Sequence, residues 1–466
     1  MNAIPLPITR ARHTANLRRS FLLCTIDGVA AMPIVQMALP VNVFLVALFA
    51  KAYALPKPTI GILTAIPFIC NSLQIAVSPF LVRWRPPQVV TVVTAALCTM
   101  SWVAFGAVLW WLPRDQPVVT GWWLGGCFFA ISFFGALAGV SWNAWMQEWV
   151  PARLRGKFFG RRNGLTQLSM LIFLLVTGWA LARWDYALGA FQLIIAGAIM
   201  LRVLCLYLQW IAPTPRPSHG DDAATPLADQ LRVLRRARSL FVFIAFGSIW
   251  FFATNAFGPF YYVFLFEQLR FSAFDIGIFS MLSALGGALS MHAWGRLIDR
   301  YGNKGVMAFS LLLWQMQNYL WCFLTPENRG LSYGMWLWAG VTSAGFVLGQ
   351  FTVLLKLIPP EAKNLAIGCN LAITSVVAAV APILGGFALS WALARWPGQA
   401  LTVYHVCFLV QPTLCLLGIG VLLRLAEPQA SNFTSLVGVM RNVRTLSGIF
   451  GLGFLTDYVF YRDPKP

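Results

Sequence analysis

Charge is scarce in this chain. Only 11% of its 466 residues are Asp, Glu, Lys or Arg, with 15 acids against 34 bases, whereas soluble domains run near a quarter charged. At 59% hydrophobic, it carries more Leu, Phe, Val and Trp than a soluble core can hide. An ordinary soluble protein is excluded. Catalytic signatures are missing as well: there is no HExxH, no GxSxG and no P-loop. The nine cysteines have no CxxC spacing and lie mostly in apolar runs, which argues for neither a metal site nor a disulfide framework. No enzymatic activity, metal or cofactor is expected. The net charge of +19 does not point to nucleic acid, because the bases occupy short gaps between apolar runs instead of one surface. It fits cytoplasmic loops held against anionic lipid.

What the chain has in abundance is apolar sequence. Runs fall at about 20–50, 58–82, 88–111, 120–149, 160–183 and 187–211, then at 240–266, 272–295, 304–325, 331–357, 364–391 and 401–425. Each is long enough to cross a hydrocarbon layer, which takes roughly 20 helical residues, and none alternates as barrel strands do. Arg10, Arg12, Arg18 and Arg19 precede the first run, and no small-residue cleavage site ends it, so a retained first span is expected. With that terminus inside, the external gaps and their edges hold seven bases: Lys51, Lys57, Arg114, Arg183, Arg270, Arg329 and Arg395. The internal gaps and tails hold 26, and Arg202 lies within the sixth run. One missed helix would invert the asymmetry, so twelve spans with both termini cytoplasmic are expected. Prolines 33, 40, 67, 79, 259, 382 and 412 lie in or near spans, where they mark kinks.

The expected organisation is an N-terminal six-helix bundle over 1–211, a cytoplasmic linker over 212–239, a C-terminal six-helix bundle over 240–425 and a tail over 426–466. Within the linker, "LADQLRVLRRARS" has helical apolar spacing beside Arg232, Arg235, Arg236 and Arg238. It reads either as a short interfacial helix or as a solvated arm. The tail stretch "TLSGIFGLGFLTDYVF" is short for a span and is expected to lie against the membrane or bundle; a thirteenth span would put the carboxyl terminus outside.

The two halves repeat one another. Ile60, Gly61 and Ile62 match Ile276, Gly277 and Ile278, and "VPARLRGKFFG" (150–160) aligns with "IPPEAKNLAIG" (358–368). The fourth and tenth runs share glycine pairs at four-residue spacing, Gly135/Gly139 and Gly345/Gly349, which let helices approach closely in lipid. On these features the chain resembles the major facilitator superfamily of transporters, up to about residue 425. The superfamily's loop signature after the second helix of a half is met by Gly295, Asp299, Arg300, Gly302 and Lys304. The first half departs from it: "PFLVRWRPP" (79–87) keeps Arg83 and Arg85 but lacks the acid and the glycines. Glu148, followed by Pro151, Arg155 and Gly156, is a second superfamily-like feature, and "RGKFFGRRN" (155–163) is similar to a poorly characterised bacterial branch.

The resemblance implies an all-α polytopic membrane protein with a transporter's alternating access, in a bacterial inner membrane. It also implies a cytoplasmic gate built from Gly295, Asp299, Arg300, Gly302, Lys304, Glu148, Arg155 and Gly156. In that gate Asp299 would accept hydrogen bonds from a helix amino end or pair with an arginine. Gly295 would let a helix pass, and Gly302 would form the turn. Plain positive-inside anchoring accounts for the same basic residues.

A polar group at lipid depth needs a partner or a task. Asp27, well inside the first span and followed by Gly28, is the candidate for proton coupling, since leaving water disfavours a charged carboxylate; structural pairing is the alternative. Asn71, Gln74, Asn143, Gln147, Asn255, Gln350 and Asn370 are cavity candidates, because amides both donate and accept; helix-to-helix bonding is their other use. Gln315, Gln317 and Asn318 of the ninth run rank lower, since that helix packs outside the cavity in the resembled family. The partners expected are a small organic solute, protons and membrane lipid, with no nucleic acid and a monomeric state. The competing function is a non-transporting assembly or sensor protein on a transporter scaffold.

Overall fold

Backbone polar groups find no water in a bilayer, so a spanning chain satisfies them within helices. The structure, a computed structural model, is helical almost throughout. It describes the backbone of residues 7–84, 86–150, 152–212, 227–359 and 362–426, and side chains within those stretches except 7–18, 78–84, 147–149, 152–157, 227, 355, 363 and 364. The expected linker segment 213–226 and the tail from 427 lie outside the described residues.

Before the linker come α1 (Pro7–Met37), α2 (Val43–Ala47), α3 (Lys57–Trp84), α4 (Pro87–Val108), α5 (Pro117–Trp149), α6 (Ala152–Arg183) and α7 (Leu188–Ile211). After it come α8 (Leu227–Arg236), α9 (Arg238–Ala256), α10 (Gly258–Glu267), α11 (Ala273–Tyr301), α12 (Asn303–Asn318), α13 (Leu331–Leu357), α14 (Lys363–Arg395), α15 (Ala400–Phe408) and α16 (Val410–Leu422). Among the described residues, 11 segments are long and apolar enough to cross a membrane. The run expected at 304–325 is the 16-residue α12 continued by a short 3-10 turn, Tyr319–Phe323, and is not one of the 11.

Three apolar runs that look continuous are broken, each beside a proline. The first stops at Met37 and resumes at Val43, past Pro40; the seventh breaks at Phe257, before Pro259; the last breaks at Leu409, before Pro412. Proline removes a donor and crowds the preceding turn, and freed backbone groups at membrane depth must be satisfied locally. Asn42 does this at the first break. It accepts from Leu45 N at 2.9 Å and donates to Leu39 O at 2.6 Å and Met37 O at 3.2 Å.

The helices before the linker pack mainly on one another, as do those after it, and the two sets join along α3 with α14 and α6 with α11. Small residues make these joints. A Cβ on Gly61 would collide with the Pro382 carbonyl, and one on Gly178 with the backbone of Ala273 and Phe274. The repeat-related Gly277 faces Leu174 and Leu175. Lys57 pairs with Glu267 at 2.5 Å, Lys51 Nζ donates to Phe266 O at 3.3 Å, and Ala273 N–H donates to Tyr186 Oη at 3.0 Å. All these cross-connections gather at one end of the molecule. Burial pushes the Tyr53 phenol, at that same end, up to about 12, and its hydroxyl donates to Leu109 O at 2.8 Å. The short helix α8 packs Leu234 against Leu240, Ile244 and Ala366. Trp110, Trp111, Trp122 and Trp123 are exposed, as interfacial rings are.

Candidate functional site

Two cavities lie where the broken helices face each other. The first, about 560 Å³, is bounded by α1, α3, α4, α5, α6 and α7. The second, about 460 Å³, is bounded mainly by α9, α10, α11, α12 and α13. They abut at adjacent residues: Pro40 and Pro67 line the first, Val41 and Phe68 the second.

The first cavity is the charged one. Asp27 is 3% exposed and accepts a hydrogen bond from Gln209 Nε2 at 2.8 Å. Arg202, 9% exposed, lies two turns before Gln209 on the same face of α7 and lines the same cavity. Its buried Nε has no hydrogen-bond partner, and among the described residues it forms no ion pair. Arg162 completes the group. Its Nε donates to Cys24 O at 3.1 Å, and its guanidinium sits 4.4 Å from the centre of the Trp142 ring, an attraction of about 0.5–2 kcal/mol. A Cβ on Gly28 would lie 2.6–2.7 Å from that guanidinium. The glycine after Asp27 is therefore the floor on which Arg162 rests. A single charge at mid-bilayer costs roughly 2.5–3.5 kcal/mol on insertion scales, so three charges lining one cavity make it the candidate site.

Among the described residues, the second cavity has no Asp, Glu, Lys or Arg in its lining. It is lined by aromatic rings and amides, including Trp250, Tyr261, Trp314, Trp321 and Trp336 with Asn255, Gln317, Asn318 and Gln411. Four of its buried polar atoms have no partner: Trp250 Nε1, Trp336 Nε1, Tyr261 Oη and Gln317 Oε1. Asn255 Nδ2 donates to Phe251 O at 2.8 Å, and Asn318 Nδ2 to Gln315 Oε1 at 3.0 Å.

Of the cavity candidates, Asn71 and Asn143 line the first chamber and Asn255 the second. Gln74 is buried in α3 outside both linings, its Oε1 without a partner. Gln350 and Asn370 are half-buried and line neither cavity; the Asn370 carbonyl accepts from Thr374 Oγ1 at 2.7 Å. The side chain of Gln147 lies outside the described residues. The low ranking of the ninth run is corrected for Gln317 and Asn318. Both line the second chamber, at the carboxyl end of α12.

Of the gate residues, Gly302 adopts φ +85° and ends α11, with its N–H donating to Ile298 O at 2.9 Å. Lys304 Nζ donates to Leu425 O at 3.0 Å, and Arg300 lies 5.4 Å from the centre of the Tyr301 ring. Asp299 is exposed and has neither the helix-end bond nor the arginine pair expected for it among the described residues. No atom lies within 4 Å of where a Gly295 Cβ would be, so in this arrangement no helix passes there. The side chains of Glu148 and Arg155, and the surroundings of Gly156, lie outside the described residues.

Residue-by-residue reading missed Arg162 and Gln209. Arg162 stands in a basic run and counts there as one more internal anchor. Gln209 carries a usable signal: it falls seven residues after Arg202, the same helical face.

Among the described residues, no group of three or more His, Cys, Asp or Glu is placed to hold a metal ion. The Major Facilitator Superfamily model matches residues 28–290 and 251–462. Among curated proteins, the MFS-type transporter ungB of Aspergillus violaceofuscus is 24% identical over 140 residues, covering 29% of this chain and 25% of that one. The efflux pump bfoC of Aspergillus brasiliensis is 25% identical over 122 residues, 26% of this chain and 21% of the pump. The chain thus spans about a quarter of the length of the curated relatives it matches. Solved structures agree in fold over 88% of this chain. A bacterial homologue of the iron transporter ferroportin, in an inward-facing state, gives TM-score 0.68 at 14% identity over its full length (100%). The D-xylose-proton symporter gives 0.67 at 13% over 98% of its length, and the nucleoside transporter NupG 0.65 at 15% over 100%. They are named for a metal, a sugar and a nucleoside, so the fold alone does not select a cargo. On the match along nearly its whole length, the chain belongs to the Major Facilitator Superfamily.

Proposed function

We propose that this protein is a secondary active transporter that moves a small organic solute by alternating access, with Asp27 coupling the movement to protons. The observation that carries the reading is the pair of abutting chambers, one charged and one aromatic, in two helix sets joined along α3 with α14 and α6 with α11. In this reading α12 with its 3-10 turn is the ninth of twelve spans. The helices form two six-helix bundles, 1–211 and 240–425, and both termini are cytoplasmic in a bacterial inner membrane. The protein works as a monomer. The joints at Gly61, Gly178 and Lys57 then lie on the outer face, which supports a state closed outside and open to the cytoplasm.

An open cytoplasmic face also accounts for an exposed Asp299: the latch would engage only when that face closes. Asp299→Asn is expected to slow turnover more than it weakens solute binding, measured as separate kcat and Kd changes; unchanged turnover would remove the latch. The transport reading is tested with purified full-length protein in liposomes. Preloaded vesicles should show a transient overshoot of labelled solute for at least one member of a sugar, nucleoside, peptide, drug and organic-acid panel. Absence of an overshoot across that panel, with folded protein, would favour an assembly or sensor role.

A further inference from the structure

We infer that the solute is an organic monoanion whose planar, ring-bearing body carries hydrogen-bond acceptors. The inference deepens the transport reading and uses the same two chambers.

The charge balance of the first chamber sets the sign. Among the described residues, Asp27 stands against Arg162 and Arg202, and no other Asp, Glu, Lys or Arg lines the cavity. With all three ionised the lining carries one excess positive charge, which one anionic group on the solute neutralises. A buried charge without a partner is strongly disfavoured, so a neutral solute would close the chamber over an uncompensated guanidinium. Both guanidinium groups line the cavity. Arg162 is held by the Cys24 carbonyl and the Trp142 face. Arg202 is nine-tenths buried, lines the cavity and leaves its Nε without a partner. Guanidinium and carboxylate match in shape as well as charge.

The second chamber sets the body. Its rings offer stacking faces, and three of its four orphaned polar atoms donate hydrogen bonds: Trp250 Nε1, Trp336 Nε1 and the Tyr261 hydroxyl. Unmet buried donors ask for ring or carbonyl oxygens. A cation would find π faces there but no acidic side chain in the lining. A polyanion would exceed the single surplus charge. Because the chambers abut at Pro40–Val41 and Pro67–Phe68, one solute would place its anionic group in the first and its ring in the second.

The test uses purified full-length protein and a binding panel of benzoate, phenylacetate, indole-3-acetate and 2-naphthoate, each beside its own carboxamide, with tryptamine as the cation. Affinity is read from tryptophan fluorescence and thermal shift. At least one carboxylate is expected to bind tenfold or more tightly than its carboxamide. Arg202→Gln is expected to abolish that preference, and Arg202→Lys to keep part of it. Should Arg202→Gln not fold, Arg202→Lys carries the test alone, and a carboxylate preference unchanged in that variant would overturn the inference. Carboxamides or tryptamine binding as well as the carboxylates would overturn the inference, as would no binding by any panel member. Counterflow of a neutral solute without carboxylate preference would sink the inference while leaving transport intact. Carboxylate preference without counterflow of any solute would do the reverse.

Discussion

The two halves of this chain descend through the same order of helices yet spend their polar residues differently. Gly61 of α3 and Gly277 of α11, matched in sequence, do the same work: each lets its helix approach one from the other half, α14 and α6 respectively. The glycine pairs of α5 and α13 have parted. Gly345 and Gly349 seat Trp294 and Met307, a packing role, whereas Gly135 and Gly139 face the first cavity. Around them the first half gathers Asp27, Arg162 and Arg202, and the second gathers rings and amides. The repeat is kept at the contacts between the halves and lost around the two cavities. A symmetric scaffold with asymmetric chambers is what an elongated solute, charged at one end and flat at the other, would require.

That contrast can be broken at several points. The largest effect is expected from Asp27→Asn, which should abolish gradient-driven accumulation in proteoliposomes while leaving solute counterflow running. If accumulation at an imposed pH difference persists, the charged chamber does not couple to protons. Next comes Gly28→Ala, which overpacks the Arg162 seat; overpacking costs ~1–3 kcal/mol, so initial counterflow rates should drop about tenfold or more. Normal rates would mean that Arg162 has room to move and that its position is not critical. In the second chamber Tyr261→Phe deletes one orphaned hydroxyl, and with a net hydrogen bond worth about 0.5–1.5 kcal/mol the apparent KM should rise a few-fold with kcat kept. The smallest effect belongs to Lys57→Gln. Its ion pair with Glu267 is partly exposed, with 16% and 33% of the two side chains accessible, and such pairs contribute ~0–1 kcal/mol. Only a slight shift toward the outward-open state is expected, read by solvent accessibility of the outer end.

Most of the architecture was legible in the sequence because bilayer spans are long, apolar and punctuated by basic loops. The breaks at 38–42, 257 and 409 were not, since an apolar run reads the same whether its helix is continuous or interrupted. The prolines marked where to look, but only the fold shows that Asn42 rebuilds the lost backbone bonds. Asp27 was legible for the opposite reason: one acid in an apolar span stands out. Its neighbour Arg162 was hidden among loop bases, and Gln317 and Asn318 were ranked low by a rule about where the ninth helix packs. In each case the sequence shows the chemistry of a side chain, whereas depth and facing direction come from packing between distant helices.

The central claim is that the two halves rock about the paired chambers. It is tested most directly by double electron–electron resonance on the full-length protein in nanodiscs. One label pair would sit at Asp115 and Glu327, on the proposed outer end, and another at Trp210 and Arg424, on the proposed inner end; all four positions are exposed. The account predicts opposed changes when a saturating transported solute is added or the pH is lowered, the outer distance lengthening as the inner one shortens. Distances that stay fixed at both ends, or that change in the same direction, would contradict it.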